Sequence, residues 1–186
     1  MKHNYSGKSL LELRAEYGIG GEGFYNNSWW KNKAFASEKP PKGVYEIELG
    51  EDLTNLSFKE QEAKLKKGFT PIHPAILADF ILSTYKKTKE RFLEKIWCRT
   101  SVLGSGGYRV YVGDFDESGL GVYRGLDDDR YGDIGLSCAR KFGKGNLKSA
   151  ELEPIEPLDI LPLPPSDLEK RVSTIEKILT KYNFTL

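Results

Sequence analysis

Aromatic and basic side chains at two places in the chain are the residues best suited to hold a ligand. Trp29 and Trp30 are adjacent and follow the polar residues 26–28, and indole rings stack on sugars and on nucleobases. Arg109 and Tyr111 alternate along a predicted strand, so their side chains share one face of it. Such a face suits anions or single-stranded nucleic acid. The two tryptophans, Arg109 and Tyr111 are therefore our candidate ligand-binding residues.

Each pair also has a purely structural interpretation, which we favour. Adjacent aromatic residues in a loop commonly anchor it to the core, with one ring inside and the other partly outside. Arginines on a solvated sheet face can pair with acidic loops, and seven acidic residues lie within 114–133. Because Tyr123 and Arg124 are consecutive, they point to opposite faces and cannot both join Arg109 on one platform. We therefore rank nucleic-acid binding third among three candidate functions.

The run DFDESG that begins at Asp114 has the oxygen spacing of a calcium loop, with glycine at its sixth position. The twelfth position is Gly125 where a bidentate glutamate is needed, and the flanks are predicted strands, not helices. We expect a hairpin turn here, with no metal and no cofactor. If a cation does bind, its candidate ligands are Asp114, Asp116 and Ser118.

Histidine and cysteine, which commonly act as bases, nucleophiles and zinc ligands, are scarce in this chain. There are two histidines, His3 and His73, and we expect His3 to lie in a frayed N-terminus. Cys98 and Cys138 stand singly, which argues against a zinc site and favours buried, reduced thiols. No G-x-S-x-G run supplies a serine nucleophile. The sequence therefore favours a protein that is not an enzyme.

Capping and alternation predict the elements that must position these residues. Capping boxes at Ser9 and Ser57 predict two short helices, and Pro74 opens a longer one that runs to about residue 89. Residues 44–49 alternate as a half-buried strand does. Further alternating stretches are separated by glycine-rich turns, which is typical of antiparallel hairpins. These stretches are 92–102, 108–115, 120–126 and 134–142.

We predict an α+β fold in which a curved antiparallel sheet of about five strands, a meander, packs against helices. Residues 1–142 would form this single domain. Residues 143–165 hold five prolines without periodicity and should form an extended arm. A capping box at Ser166 opens an amphipathic helix over 166–186, which we expect to pack on the domain or on a neighbouring subunit.

Composition excludes several broad classes of protein. The 186 residues carry 28 basic and 27 acidic side chains, and the net charge of +1 excludes a histone-like overall charge. No stretch approaches the ~20 apolar residues of a membrane span. No apolar secretory segment follows the first residue. We expect a cytoplasmic protein that does not contact a membrane.

Charge is segregated along the chain although the total is close to neutral. Residues 85–99 have a net charge of +4, residues 114–133 of −5 and residues 151–169 of −6. Such asymmetry favours self-association or a protein partner. Our leading hypothesis is a non-catalytic binding or interaction protein.

The alternative hypothesis is an enzyme or small-ligand binder. Its pocket would lie between the sheet and the aromatic loop, by which we mean residues 18–43, a segment rich in glycine, asparagine and aromatic residues. Its acidic groups would come from Asp114, Asp116 or residues 127–129.

One long part of the chain resembles a known group of proteins. The runs that carry the resemblance are HPAILADFILSTYKKTKERF, WCRTS and GYRVYVGDFDESGLGVYRGLDDDRYGDIGLSCARKF. They are similar to uncharacterised proteins of bacteria with reduced genomes, of the candidate-phylum type, over about residues 69–142, and FYNNSWW and EKPPKGVYEI extend the likeness. That group has no known activity, so the resemblance implies a bacterial cytosolic origin and adds no catalytic residue.

Overall fold

The computed structural model describes residues 1–104 and 106–142. The predicted proline-rich arm over 143–165 and the predicted helix over 166–186 lie outside the described residues and stay predictions, as does the domain boundary at 142. The strands of the described part are β1 (Lys2–Tyr5), β2 (Gly43–Glu48), β3 (Thr70–Pro71), β4 (Trp97–Leu103), β5 (Arg109–Asp116), β6 (Gly119–Gly125), β7 (Ile134–Leu136) and β8 (Cys138–Lys141). Its helices are α1 (Leu10–Tyr17), α2 (Ala34–Ser37), α3 (Phe58–Glu62) and α4 (Pro74–Thr88).

The strands form two open four-stranded sheets, and the predicted α+β class is confirmed. The first sheet has the order β1-β2-β8-β3, and its neighbours are antiparallel. The second has the order β6-β5-β4-β7, in which β4, β5 and β6 form an antiparallel meander from three of the four stretches that were predicted to form one. Strand β7 pairs with β4 in parallel. The strands are therefore divided between two sheets, where the sequence predicted about five strands in one.

The division occurs at Ser137, within the stretch 134–142 that was predicted as one strand. Residues before Ser137 pair with β4 of the second sheet, and residues after it pair with β2 of the first. The Ser137 side chain is fully buried and its hydroxyl donates to the Leu49 carbonyl oxygen at 2.9 Å. One continuous segment thus joins the two sheets.

The N-terminus is part of the first sheet. Strand β1 pairs with β2, with His3 opposite Tyr45, and the Met1 ammonium group donates to the Ile47 carbonyl oxygen at 2.7 Å. The expectation that His3 lies in a frayed terminus is therefore wrong. The sequence of β1, KHNY, has no apolar alternation that would have predicted a strand.

The helices begin where the capping patterns predicted. At Ser9 and at Ser57 the side chain accepts from the amide three residues on, and the glutamate there returns the bond. Helix α4 begins at Pro74, and the His73 ring accepts from the Ala75 amide. The first nine residues of α4 are all buried, because this helix contacts β1 of the first sheet and β4 and β5 of the second.

Both cysteines are unbonded and buried in the described structure. Burial raises the pKa of Cys98 to about 12 and that of Cys138 to about 11, so both thiols stay protonated at neutral pH. The prediction of buried thiols is confirmed. None of the helices in residues 1–104 and 106–142 combines the length and the apolar content that crossing a membrane requires.

Candidate functional site

The aromatic loop closes the outer edge of the second sheet. Strand β6 is the edge strand, and its outward carbonyl oxygens would otherwise be unpaired. The Tyr25 amide donates to the Leu120 oxygen at 2.9 Å. The Val122 oxygen accepts from the Asn27 side-chain amide at 2.9 Å and from the Trp29 indole at 2.8 Å. These bonds fix the position of the loop beside the sheet.

The two candidate tryptophans have different environments. Trp30 is fully buried, donates to the Asn27 side-chain oxygen at 2.6 Å and packs against Phe24 with ring centroids 5.8 Å apart. Trp29 is only half-buried, and its ring packs against Phe35 at 6.0 Å. Trp30 therefore anchors the loop, whereas Trp29 is exposed to a cleft.

That cleft has a volume of about 440 Å³ and lies between the aromatic loop and the second sheet. This size is within the range of small-molecule sites, about 300–1,000 Å³. Four aromatic rings and two carboxylates share its walls. The rings belong to Tyr25, Trp29, Trp97 and Tyr123, and the carboxylates to Asp114 and Asp116. We call it the aromatic cleft.

Two strand glycines allow Trp97 to reach into this cleft. Trp97 on β4 lies opposite Gly113 on β5, which lies opposite Gly121 on β6. The indole crosses the sheet over Gly121, where a Cβ atom would overlap the ring, and it reaches Tyr123 with ring centroids 5.6 Å apart. The aromatic wall therefore depends on residues without side chains.

Asp114 carries an unpaired charge at this cleft. It has a left-handed backbone, with φ of 50°, at an irregularity of register between Gly113 and Asp116. Its carboxylate makes no hydrogen bond or ion pair with any residue of the described part of the chain. Burial, followed by the charges of Asp116 and Asp133, raises its pKa. The site thus holds a carboxylate that the protein itself does not neutralise.

Asp116 is instead held within the β5–β6 turn. Its Oδ1 accepts from the Ser118 amide at 2.8 Å and from the Ser118 hydroxyl at 2.5 Å, and these bonds lower its pKa. The predicted hairpin turn is confirmed. Within 1–104 and 106–142, no three His, Cys, Asp or Glu side chains converge in a way that could hold a metal. The absence of a metal stays a prediction.

Arg109 and Tyr111 do not line the aromatic cleft. The Arg109 guanidinium forms a two-bonded ion pair with Asp127, at 2.6 and 2.8 Å, and stacks on Phe58 at 3.4 Å. The buried Tyr111 hydroxyl donates to the Leu126 oxygen at 2.9 Å. Both residues connect β5 to neighbouring loops, and the pairing of an arginine with an acidic loop agrees with the structural interpretation.

The prediction that Tyr123 and Arg124 point to opposite faces of the sheet is confirmed. Tyr123 lies opposite Tyr111, whereas Arg124 lies opposite Val110 on the other face. The Arg124 guanidinium stacks 5.1 Å from the Trp29 ring centroid. One side of the Trp29 indole thus already contacts a cationic group of the same chain.

Sequence reasoning missed the role of Trp97. The position of the Trp97 side chain depends on the register of β4, β5 and β6, which cannot be predicted from local sequence. The available signal was glycine at positions 113 and 121 inside predicted strands, since a strand glycine often marks a close approach.

Comparisons of the chain with protein-family models, with curated proteins and with solved structures returned no match. The bacterial origin implied by the resemblance, the cytoplasmic location and the function therefore stay predictions.

Proposed function

We propose that this chain is a non-catalytic binding protein whose aromatic cleft binds an organic cation, a protonated or quaternary amine. The observation that carries the proposal is the Asp114 carboxylate, which lies among aromatic rings without a positive partner in the described residues. A cationic ligand would supply that partner. The proposal joins the two leading hypotheses from the sequence, a binding protein and a pocket beside the aromatic loop.

The surrounding rings favour the same ligand class. The face of an aromatic ring attracts a cation, by about 0.5–1 kcal/mol when exposed and about 2 kcal/mol when desolvated. Tyr25 and Tyr123 are 47% and 57% exposed, so their rings are accessible to a ligand. The acidic segment 114–133 adds a negative field that attracts cations and repels anions.

Binding without catalysis is what the chemistry of the cleft supports. Its nucleophilic candidate, the Ser118 hydroxyl, is bonded to Asp116 in the turn. Among the described residues that line the cleft, the carboxylates of Asp114 and Asp116 are the groups that could act as a base, and no histidine, cysteine or lysine accompanies them. Aromatic rings with carboxylates also suit sugars, and the test below separates the two classes.

The test compares choline with 3,3-dimethylbutanol, a neutral molecule of nearly the same shape. We expect choline to change the tryptophan fluorescence and the neutral molecule to bind at least about tenfold more weakly, a difference of about 1.4 kcal/mol. Equal binding of the two, or binding of simple sugars in preference to choline, would overturn the proposal. So would the absence of any response at about 10 mM choline, which is weaker than a site of this kind should bind.

Matched variants locate the site. Asp114→Asn removes the unpaired charge while keeping the shape, and it should weaken choline binding about fivefold to tenfold. Asp128→Asn makes the same change at an exposed position that does not line the cleft, so it should leave binding unchanged. Equal loss in both variants would mean that the cation responds only to the overall negative charge.

A further inference from the structure

A second cleft lies where β1 meets α4, lined largely by polar side chains, with a volume of about 310 Å³. His3 on β1 and Asp79 on α4 face each other there, with Nε2 of His3 3.1 Å from Oδ2 of Asp79. Asp79 is only 4% exposed, and the same oxygen accepts from the Ser6 amide at 2.9 Å. The pair joins the N-terminal strand to the central helix.

The Asp79 carboxylate determines how the imidazole is presented. Burial opposes its ionisation, but the hydrogen bonds from His3 and Ser6 outweigh burial and lower its pKa. An ionised Asp79 requires a donor at Nε2 of His3, so Nδ1 of the neutral ring is an acceptor. A buried carboxylate that orients a histidine in this way is a common arrangement in binding and catalytic sites.

The cleft also contains a hydroxyl group without a partner. Ser6 Oγ is buried and makes no hydrogen bond of good geometry to any described residue, although the hydroxyl is close enough to Asp79 to help lower the pKa of that carboxyl. Buried polar atoms are nearly always bonded, so such an atom beside a cleft indicates a place for a bound group. The Ser6 hydroxyl can donate to an acceptor on a ligand.

Three lysines and two carboxylates, Glu16 and Asp79, line the cleft, so their net charge is positive by one. Lys8 is neutralised by Glu16, with an Nζ to Oε2 distance of 2.6 Å. Lys2 and Lys87 also line the cleft, and neither forms an ion pair within residues 1–104 and 106–142, although the Lys2 ammonium group lies 5.3 Å from the Phe142 ring centroid. Two lysines thus have no negative partner beside an unbonded hydroxyl and an oriented imidazole.

We propose that this His3 cleft binds a small oxyanion such as phosphate. Lys2 and Lys87 would supply the positive charge, and the Ser6 hydroxyl would donate to an oxygen atom of an anion that lies beside the His3 ring. A tetrahedral oxyanion suits the cleft because it can accept from several donors at once, and charge-assisted bonds of this kind are among the stronger hydrogen bonds. The site is separate from the aromatic cleft and does not depend on the function proposed for it.

The test is a titration of the full chain with inorganic phosphate at low ionic strength, followed by NMR of the two histidine rings and by thermal unfolding. We expect the His3 resonances to shift, those of His73 to stay in place, and the melting temperature to rise with phosphate concentration. Sulfate should act in the same way, because the site selects an oxyanion. A matching response to chloride at equal ionic strength would overturn the proposal.

Variants distinguish the site from general attraction to a basic surface. Lys87→Gln should weaken phosphate binding about threefold, as expected for the loss of one partly screened charge. Lys67→Gln, an exposed lysine that lines neither cleft, is the control and should change nothing. Equal weakening in both variants, or unmoved His3 resonances at about 20 mM phosphate, would contradict a built site. Because Lys87 is exposed, its replacement leaves the fold intact.

Discussion

At Asp114 the chain holds a carboxylate among aromatic rings, at a left-handed backbone position with φ of 50°. Aspartate tolerates this conformation better than most residues, but at some cost in free energy. The raised pKa shows that the ionised group is also less favourable here than in water. Costs of this kind concentrate at functional sites, where binding rather than stability selects the residue.

Asp114→Asn should therefore stabilise the protein at neutral pH. Folding raises the pKa of this carboxyl, so the penalty is present at pH 7, where the group is ionised in both states. The penalty disappears as the pH falls through the carboxyl range and both states bind the proton. We expect a gain of about 0.5 kcal/mol in the free energy of unfolding at pH 7, since partial exposure reduces the effect.

Urea unfolding at pH 7 and at about pH 4, near the ordinary carboxyl range, measures this change. The gain should shrink at the lower pH, and the control Asp128→Asn should show neither the gain nor its pH dependence. A loss of stability at pH 7 would contradict this account of Asp114. Together with weaker choline binding, a gain would show stability and binding opposed at a single residue.

At the scale of elements, the aromatic wall is built by strands that lack side chains at two adjoining positions. Gly113 and Gly121 are neighbours across β5 and β6, and Trp97 lies over them from β4. Gly121 has no left-handed backbone, so its requirement for glycine comes from the space taken by the indole. Tyr123 is then positioned beside that ring.

Gly121→Ala should displace the Trp97 ring. The added methyl group overlaps the ring, and overpacking of this kind commonly costs about 1–3 kcal/mol. We expect lower stability in urea and a changed tryptophan emission. Combining it with Trp97→Phe, whose smaller ring leaves room, should recover part of the loss.

Gly132→Ala is the matched control. A Cβ atom at Gly132 meets only ordinary contacts, with Asn55 at 3.7 Å, and the position is exposed. Its effect should stay within about 0.5 kcal/mol. If Gly121→Ala were as mild as this control, Trp97 would not hold the position described.

The elements that the sequence predicts correctly are those with local signals. The capping boxes at Ser9 and Ser57, the Pro74 start of α4 and the alternation over residues 44–49 all depend on neighbours in sequence. The division of residues 134–142 into β7 and β8 at Ser137 has no local signal. It follows from pairing with two different strands that are distant in sequence, β4 and β2, while the local alternation continues through Ser137.

The candidate site divides in the same way. Trp29, which lines the aromatic cleft, could be named as a candidate from the sequence because an aromatic pair in a polar loop is a local feature. Arg109 and Tyr111 were placed on the correct shared face, but their partners Asp127 and Leu126 come from a loop whose position depends on tertiary structure. The Asp79 carboxylate was missed because its histidine lies 76 positions away in the chain.

At the scale of the whole molecule, part of the charge that is segregated along the sequence lies inside the fold and not at the surface. Arg99 belongs to the basic segment 85–99 but is fully buried and bonds to Gln61 and to backbone oxygens. The exposed positive charge that remains there is mainly on lysines. The acidic side chains of segment 114–133 are exposed or half-buried, and those of Asp114 and Asp116 line the aromatic cleft. This polarity supports a basic or amine-bearing partner for that side of the protein.

The same distribution predicts that the protein does not bind single-stranded nucleic acid at physiological salt. Arg99 and Arg109 are buried and bonded, and Arg124 stacks between Trp29 and Tyr108. The arginines that could contact phosphates are thus engaged within the fold, and the acidic segment next to them repels a polyanion. Fluorescence anisotropy with a labelled oligonucleotide at about 150 mM salt should therefore show no change.

If the oligonucleotide binds at low salt, the salt dependence shows which side chains are responsible. Contacts made by lysines alone weaken as salt is added, because their binding energy comes from counterion release and no stacking remains to support the complex at high salt. Such binding should fall further in a Lys86→Gln, Lys87→Gln double variant, and phosphate should compete with it, since Lys87 also lines the His3 cleft. Salt-resistant micromolar binding that survives the double variant and is lost in Arg124→Ala would contradict this prediction. That result would mean that Arg124 leaves its stacked position and that the bases replace it on Trp29.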